Sequence, residues 1–263
     1  METLKIIASI LILFVILIMG ILYFFQEKLI FYPDKLEKDY RFYFNQNFKE
    51  LFIKTSDDKL LNALLFEADS TKGLIFYLHG NAGSLESWGS VAEVYTDLNY
   101  DVFILDYRGF GKSEGSIQGE KQLYADNQLA YNKMKELYKE EDILLLGYSI
   151  GTGMAAKLAA DNNPSMLILQ APFYSFRHMM SSQFYFPSFI LRYPFRTDKF
   201  LKQCRCPVVI FHGDADEIIN YKSSLKLKEE FNDKIKLIIL PGEEHNGITD
   251  SKAYRDELEK ILM

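Results

Sequence analysis

The run Ile143-Leu144-Leu145-Leu146-Gly147-Tyr148-Ser149-Ile150-Gly151-Thr152-Gly153-Met154-Ala155-Ala156 constrains the fold of this chain more than any other stretch. A continuous apolar segment stops at Gly147, a serine follows two residues later, and a small-residue helical pattern begins. The expected structure is a buried strand, a sharp turn and a helix, with Ser149 at the apex of a G-x-S-x-G nucleophile elbow. Gly147 and Gly151 would remove Cβ atoms that collide where strand and helix converge, and Ser149 would take a strained backbone conformation. The helix that follows would aim its N-terminal N–H groups and positive dipole end at the place where an oxyanion forms. The plain alternative is a serine in an inert glycine-rich turn, and the rest of the chain decides between them.

Strands and helices alternate around that elbow. Leu74–Leu78 and Val102–Leu105 are short, wholly apolar runs, as strands buried on both faces of a parallel sheet are. Phe48–Thr55 and Leu60–Phe66 read as two strands about a turn at Ser56-Asp57-Asp58. Helical patterns cover Val91–Leu98 and Glu120–Tyr138, strands recur at Met166–Leu169, Pro207–Phe211 and Ile235–Leu240, and an amphipathic helix closes the chain at Ser251–Leu262. This order predicts an α/β domain over residues 48–263, with a mostly parallel central sheet and helices on both faces. Residues 172–206 break the alternation with Phe173, Tyr174, Phe176, Phe184, Tyr185, Phe186, Phe189, Tyr193 and Phe195. Such an insertion either packs its aromatics into the core or forms a small lid, in which Phe184, Phe186 and Phe189 would wall an apolar acyl pocket.

Residues Ile6 to Phe25 carry no charge, and at 1.5 Å per residue about twenty of them span roughly 30 Å, the thickness of a bilayer core. A cleavable signal would have a shorter apolar run ending in a small-x-small site, and a buried core helix would carry a polar stripe. The expectation is therefore a single-pass membrane anchor over residues 1–27, then a connector over 28–47 laid on the domain. Phe31, Tyr32, Tyr40, Phe42, Tyr43 and Phe44 would be costly to expose there. Lys28, Lys35, Lys38 and Arg41 follow the span and only Lys5 precedes it, which favours the catalytic domain on the cytoplasmic face. The formal net charge is −6 with basic residues dispersed, so no nucleic-acid surface is expected. Cys204 and Cys206, two positions apart in an extended segment, would point to opposite faces, so no mutual disulfide is expected. No spacing suggests a metal site, and no cofactor is called for.

A serine hydroxyl needs a base, and the base needs a partner that fixes its tautomer. After a G-x-S-x-G elbow these follow in the order acid, then histidine, on loops beyond later strands. His245 follows the last strand, and Asp214, Asp216 and Glu217 follow the strand before it. His79 and His212 each end a buried strand before glycine, where a shaping hydrogen bond is the expected role. The loop His79-Gly80-Asn81-Ala82-Gly83-Ser84 lacks a phosphate-loop pattern and stands where the second oxyanion donor comes from. The candidate donors are the backbone N–H groups of Asn81 and Ile150.

Together, His79-Gly80-Asn81-Ala82-Gly83, Asp106-Tyr107-Arg108-Gly109-Phe110-Gly111-Lys112-Ser113, Gly147-Tyr148-Ser149-Ile150-Gly151 and the two later loops resemble an α/β-hydrolase. More narrowly the chain resembles the membrane-associated Bem46-like group, which includes the α/β-hydrolase domain-containing 13 and 17 proteins. Tyr23-Phe24-Phe25-Gln26-Glu27-Lys28-Leu29-Ile30-Phe31-Tyr32-Pro33 is also similar to that group. The resemblance implies Ser149 as nucleophile, Asp216 as acid and His245 as base, with Asp106 and Arg108 structural. It implies a serine hydrolase of esters or thioesters acting on a small or lipid-like acyl substrate. It leaves open a serine peptidase on the same fold, the substrate itself and the oligomeric state. A non-catalytic tethered binding protein would be expected to lack part of the triad, whereas all three positions are filled.

Overall fold

The computed structural model describes residues 1–183 and 187–263. In chain order its strands are β1 (Tyr32–Pro33), β2 (Phe48–Lys54), β3 (Leu60–Phe66), β4 (Leu74–Leu78), β5 (Ala82–Gly83), β6 (Asp101–Leu105), β7 (Ile143–Tyr148), β8 (Met166–Gln170), β9 (Val208–Gly213) and β10 (Ile235–Leu240). Its α-helices are α1 (Glu2–Phe24), α2 (Gln26–Ile30), α3 (Leu85–Trp88), α4 (Ala92–Thr96), α5 (Glu120–Lys135), α6 (Gly151–Asp161), α7 (Phe176–Gln183), α8 (Thr197–Gln203), α9 (Lys222–Glu230) and α10 (Lys252–Leu262).

Eight strands form one sheet in the order β10-β9-β8-β7-β4-β6-β3-β2. The six from β10 to β6 are parallel, while β3 and β2 add an antiparallel edge. The unbroken apolar runs now have their reason. Along β4, Leu74, Phe76 and Leu78 enter one hydrophobic cluster while Ile75 and Tyr77 enter the cluster on the opposite face. Successive side chains alternate across a strand, so a strand covered on both faces needs apolar residues at every position. Each such side chain contributes about 1.5–3 kcal/mol on burial, which fixes the register firmly. The first cluster is roofed by α5 and α6, through Tyr131, Met134, Met154 and Leu158, and the second by α4 and α10, through Tyr95, Tyr254 and Leu258.

From β4 the chain crosses to β6 on one side, then returns to β7 on the other. The strand order therefore reverses between β4 and β7, and a crevice opens above their C-terminal ends. The histidine–glycine loop follows β4 and the elbow follows β7, so both border that crevice.

Three expectations change. Cys204 and Cys206 do not point apart: Cys204 ends α8 and the chain bends after it, bringing the two sulfurs to 3.3 Å. Tyr43 is 92% and Tyr32 54% exposed, whereas Phe31 and Phe42 are buried. In the insertion, Phe173, Tyr193 and Phe195 are buried in the core, while Phe189 is 75% exposed. Phe184, Tyr185 and Phe186 lie outside the described residues.

Helix α1 buries none of its residues and is long and apolar enough to cross a membrane. A single residue, Phe25, separates it from α2, which packs on the domain. Gln26 is buried there, its Nε2 donating to Ile190 O at 2.6 Å and its Oε1 accepting from Arg192 N–H at 2.8 Å. Two residues beyond α2, β1 pairs in parallel with β5, which lies within the histidine–glycine loop.

Candidate active site

Ser149 sits at φ 53°, in the left-handed region that a side chain occupies only under constraint. The packing around the elbow imposes it. A Cβ on Gly147 would lie 2.6 Å from Gly151 O, and a Cβ on Gly151 only 2.0 Å from Leu78 O. Strand β7, helix α6 and the end of β4 thus converge more closely than any side chain allows, and the serine is lifted into the crevice.

His245 and Asp216 meet it there. His245 Nε2 is 3.0 Å from Ser149 Oγ, and His245 Nδ1 is 2.7 Å from Asp216 Oδ2. Asp216 Oδ1 accepts the N–H groups of Ile218 and Ile219 at 2.9 and 2.7 Å. Burial works against its charge, but hydrogen bonds from His212 and His245 outweigh that and hold the carboxyl well below the usual carboxylate range. An ionised carboxylate only accepts, so His245 carries its proton on Nδ1 and offers the Nε2 lone pair to the serine. The loop bearing His245 is anchored through Tyr148, whose hydroxyl donates to His245 O.

Asp214, the competing carboxylate, turns away and accepts Gly242 N–H at 2.6 Å. His212 has a larger part than shaping its own turn. Its Nε2–H donates to Ile219 O at 2.7 Å and lies 3.2 Å from Asp216 Oδ2, while Nδ1 accepts from Ser224 Oγ at 2.6 Å. The side chain that ends β9 thereby helps orient the acid four residues later. The sequence signal for it was a histidine buried at a strand end, one turn before the acid.

The loop after β4 is braced from below. His79 Nδ1–H donates to Gly80 O at 2.7 Å, Tyr107 OH donates to His79 O at 2.9 Å, and Trp88 Nε1–H donates to Ala82 O at 2.7 Å. Neither Asn81 N–H nor Ile150 N–H has a hydrogen-bond partner among the described residues, and both residues border the cavity. Asp106 accepts Leu85 N–H at 3.0 Å and faces His79 Nε2 at 3.6 Å. Burial pushes His79 down to about 4 and, although Leu85 N–H opposes it, pushes Asp106 up to about 8. Arg108 is fully engaged, bidentate to Asp57 at 2.7 Å and to Asp126 at 2.6 and 2.9 Å, which ties the β2–β3 turn to α5.

The cavity over Ser149 measures about 620 Å³. Its apolar wall comes from Phe173, Phe176, Met179 and Met180 of the insertion, facing Leu29 and Ile30 of α2. Among the described residues, no group of His, Cys, Asp and Glu side chains is arranged to hold a metal ion.

Residues 69–196 match the family model described as serine aminopeptidase, S33. The chain is 32% identical to protein bem46 of Schizosaccharomyces pombe over 76% of its length and 73% of that protein's. It is 30% identical to the α/β hydrolase domain-containing protein 17C of Mus musculus over 80% of its length and 66% of that protein's. Among solved structures, an esterase from Pyrococcus furiosus superposes with a TM-score of 0.67 at 16% identity, covering 89% of this chain and 95% of that one. A serine hydrolase homologue from Coxiella burnetii does so with a TM-score of 0.62 at 18% identity, over 84% and 97%. At those identities the likeness shows the shared fold. With that fold and the bem46 match together, the chain belongs to the α/β-hydrolase family that includes Bem46 and the α/β hydrolase domain-containing 17 proteins.

Proposed function

We propose that this chain is a membrane-anchored serine hydrolase that cleaves carboxylic esters or thioesters through an acyl-enzyme. The observation that carries the reading is the relay from Asp216 through His245 to Ser149, with contacts of 2.7 and 3.0 Å, opening into a largely apolar cavity. Ser149 Oγ attacks the acyl carbon as His245 Nε2 takes its proton. The carbonyl oxygen gains a negative charge, which the N–H groups of Asn81 and Ile150 stabilise together with the N-terminus of α6. Asp216 stays ionised and stabilises the imidazolium, which then protonates the leaving alcohol or thiol. Water, activated by the same histidine, releases the acid and restores the serine.

The apolar wall fits an acyl chain, and α1 fits an anchor that keeps the domain beside membrane-held substrates, on the cytoplasmic face by the charge flanking the span. A serine peptidase is the second reading. The match to the aminopeptidase model supports it, as does a recess of about 260 Å³ beside His245, bordered by Glu217 and Glu244, which suits a free amino terminus.

The test is hydrolysis of matched ester, thioester and peptide substrates, together with labelling by an organophosphonate. Labelling is expected at Ser149 alone, to vanish in Ser149→Ala, and turnover to favour esters and thioesters. Labelling at another serine would overturn the assignment, and preferential peptide turnover would put the second reading first.

A further inference from the structure

The segment that leaves the anchor is stitched to the loop that carries Asn81. Asn81 Nδ2 donates to Ile30 O at 2.8 Å, and Tyr32 N–H donates to Asn81 O at 2.8 Å. Further on, Asp34 N–H donates to Gly83 O at 2.9 Å, and Asp34 O accepts Gly111 N–H at 2.8 Å. The chain past α2 is thus a short strand wedged between the loop after β4 and the loop after β6. Its start is held by the buried Gln26, bonded to Ile190 and Arg192. The Arg192 guanidinium in turn lies 3.6 Å from Glu27 and 5.6 Å from the centre of the Tyr23 ring in α1.

These bonds act on the peptide units that flank Asn81. A trans peptide points its C=O and N–H in opposite directions. His79 holds Gly80 O, so Asn81 N–H, at the other end of that unit, is turned away from His79. Tyr32 holds Asn81 O and so fixes the next unit, while the bond to Ile30 fixes the Asn81 side chain. With both units held, the two soft dihedrals of Asn81 are held as well. Two of these three constraints come from the segment after the anchor, not from the sheet.

We propose, resting on the reading of Asn81 N–H as an oxyanion donor, that Gln26–Pro33 is a positioning element of the active site. It couples the course of the chain as it leaves the anchor to the rate of the chemical step. The oxyanion exists only in the transition state and the intermediate, so loosening the segment lowers kcat and weakens transition-state analogues while sparing KM. A segment that served as scaffold or pocket wall alone would show up in stability or in KM instead.

The test uses the full-length chain in detergent, with a water-soluble short ester, a trifluoromethyl ketone inhibitor and thermal unfolding. Tyr32→Pro deletes the N–H that reaches Asn81 O. Asn81→Ala deletes the bond to Ile30 but keeps the backbone donor, and Gln26→Glu keeps the acceptor for Arg192 while losing the bond to Ile190. Removing one oxyanion donor outright costs about 10²- to 10³-fold in kcat, so misplacing one should cost roughly 10- to 100-fold for Tyr32→Pro and about tenfold for the others. Inhibitor affinity should fall by the same factors, KM should stay within about twofold, and the exposed Tyr43→Ala should match the parent. If Tyr32→Pro does not fold, the other two variants decide. Variants with native unfolding temperatures and unchanged kcat and inhibitor affinity would overturn the inference, as would a rise in KM at constant kcat. A parent chain that neither turns over esters nor labels at Ser149 would instead overturn the underlying assignment.

Discussion

Two buried histidine–aspartate pairs lie on either side of the crevice, and they hold opposite charge states. Asp216 accepts two backbone N–H groups and faces His212 and His245, so it stays ionised in the interior. Asp106 accepts one backbone N–H, from Leu85, and faces His79 across 3.6 Å. With so few donors, burial wins: the carboxyl rises to about 8, the imidazole falls to about 4, and near neutral pH both are uncharged. The residue types are the same, but His79 and Asp106 lie deeper than His245 and Asp216. Depth and the number of donors around the carboxylate together set the two charge states.

The sharpest way to break this comparison is to neutralise each acid in turn. Asp216→Asn should lower kcat by about 10⁴-fold, because an amide neither fixes the His245 tautomer nor balances its charge. Asp106→Asn, which resembles the protonated acid already present, should keep kcat within about tenfold of the parent. Equal losses on an ester assay would show that Asp106 works as an ion.

The next effect concerns the donors. His212→Ala strips Asp216 of a side-chain donor and should cost roughly 10- to 100-fold in kcat with little change in KM, and His212→Gln should recover part of it. A loss confined to unfolding temperature would leave the ionisation of Asp216 to His245 and the backbone N–H groups of Ile218 and Ile219.

Stability against pH gives a third and smaller effect. The Asp106 pKa is raised on folding, so its contribution is fully present below the unfolded value near 4 and is lost as pH rises through about 8. His79, lowered to about 4, opposes this only below its unfolded value near 6.5. The pair therefore leaves a net loss between about pH 6.5 and 8, on the order of 2 kcal/mol, that Asp106→Asn should abolish. Parallel melting curves across that range would put the proton elsewhere.

The smallest effect lies in the cavity between the pairs. Each methylene buried against Phe176 and Met180 is worth about 0.8 kcal/mol, or about fourfold in kcat/KM, until the pocket is full. Phe176→Ala should flatten that rise in a series of acyl lengths, and Phe189→Ala should leave it unchanged. The reverse pattern would move the acyl wall to the far side of the insertion.

The parts of this molecule that repeat a period were legible in the sequence. The strands of the main sheet lie within a residue or two of their apolar runs, and the elbow follows from two glycines around a serine. Asp216 was separable from Asp214 only through family resemblance, because an extended loop shows that two neighbours diverge but not which one faces inward. What lacked a period was missed. The two-residue strands β1 and β5 have no pattern to read, yet their pairing sets the site's edge. Helix α9, Lys-Ser-Ser-Leu-Lys-Leu-Lys-Glu-Glu, carries too few apolar residues to stand out. The aromatics of the insertion declared their burial cost but not their direction, so Phe189 was placed in a wall it does not join. Cys204 and Cys206 were set apart by a strand geometry that the end of α8 does not permit.

On the proposed reading of α1 as a membrane anchor, the one-residue joint at Phe25 would govern how far the site can reach. A helix that crosses a bilayer and hands over to a docked domain after one residue leaves the enzyme no slack. Ser149 would then ride at a fixed height above the lipid, like a cutter on a short rail. A bond tethered too close or too far along its carrier would pass beneath or above it, whatever its chemistry. Selectivity in such an arrangement is partly a matter of altitude, set where the chain leaves the membrane and not inside the pocket.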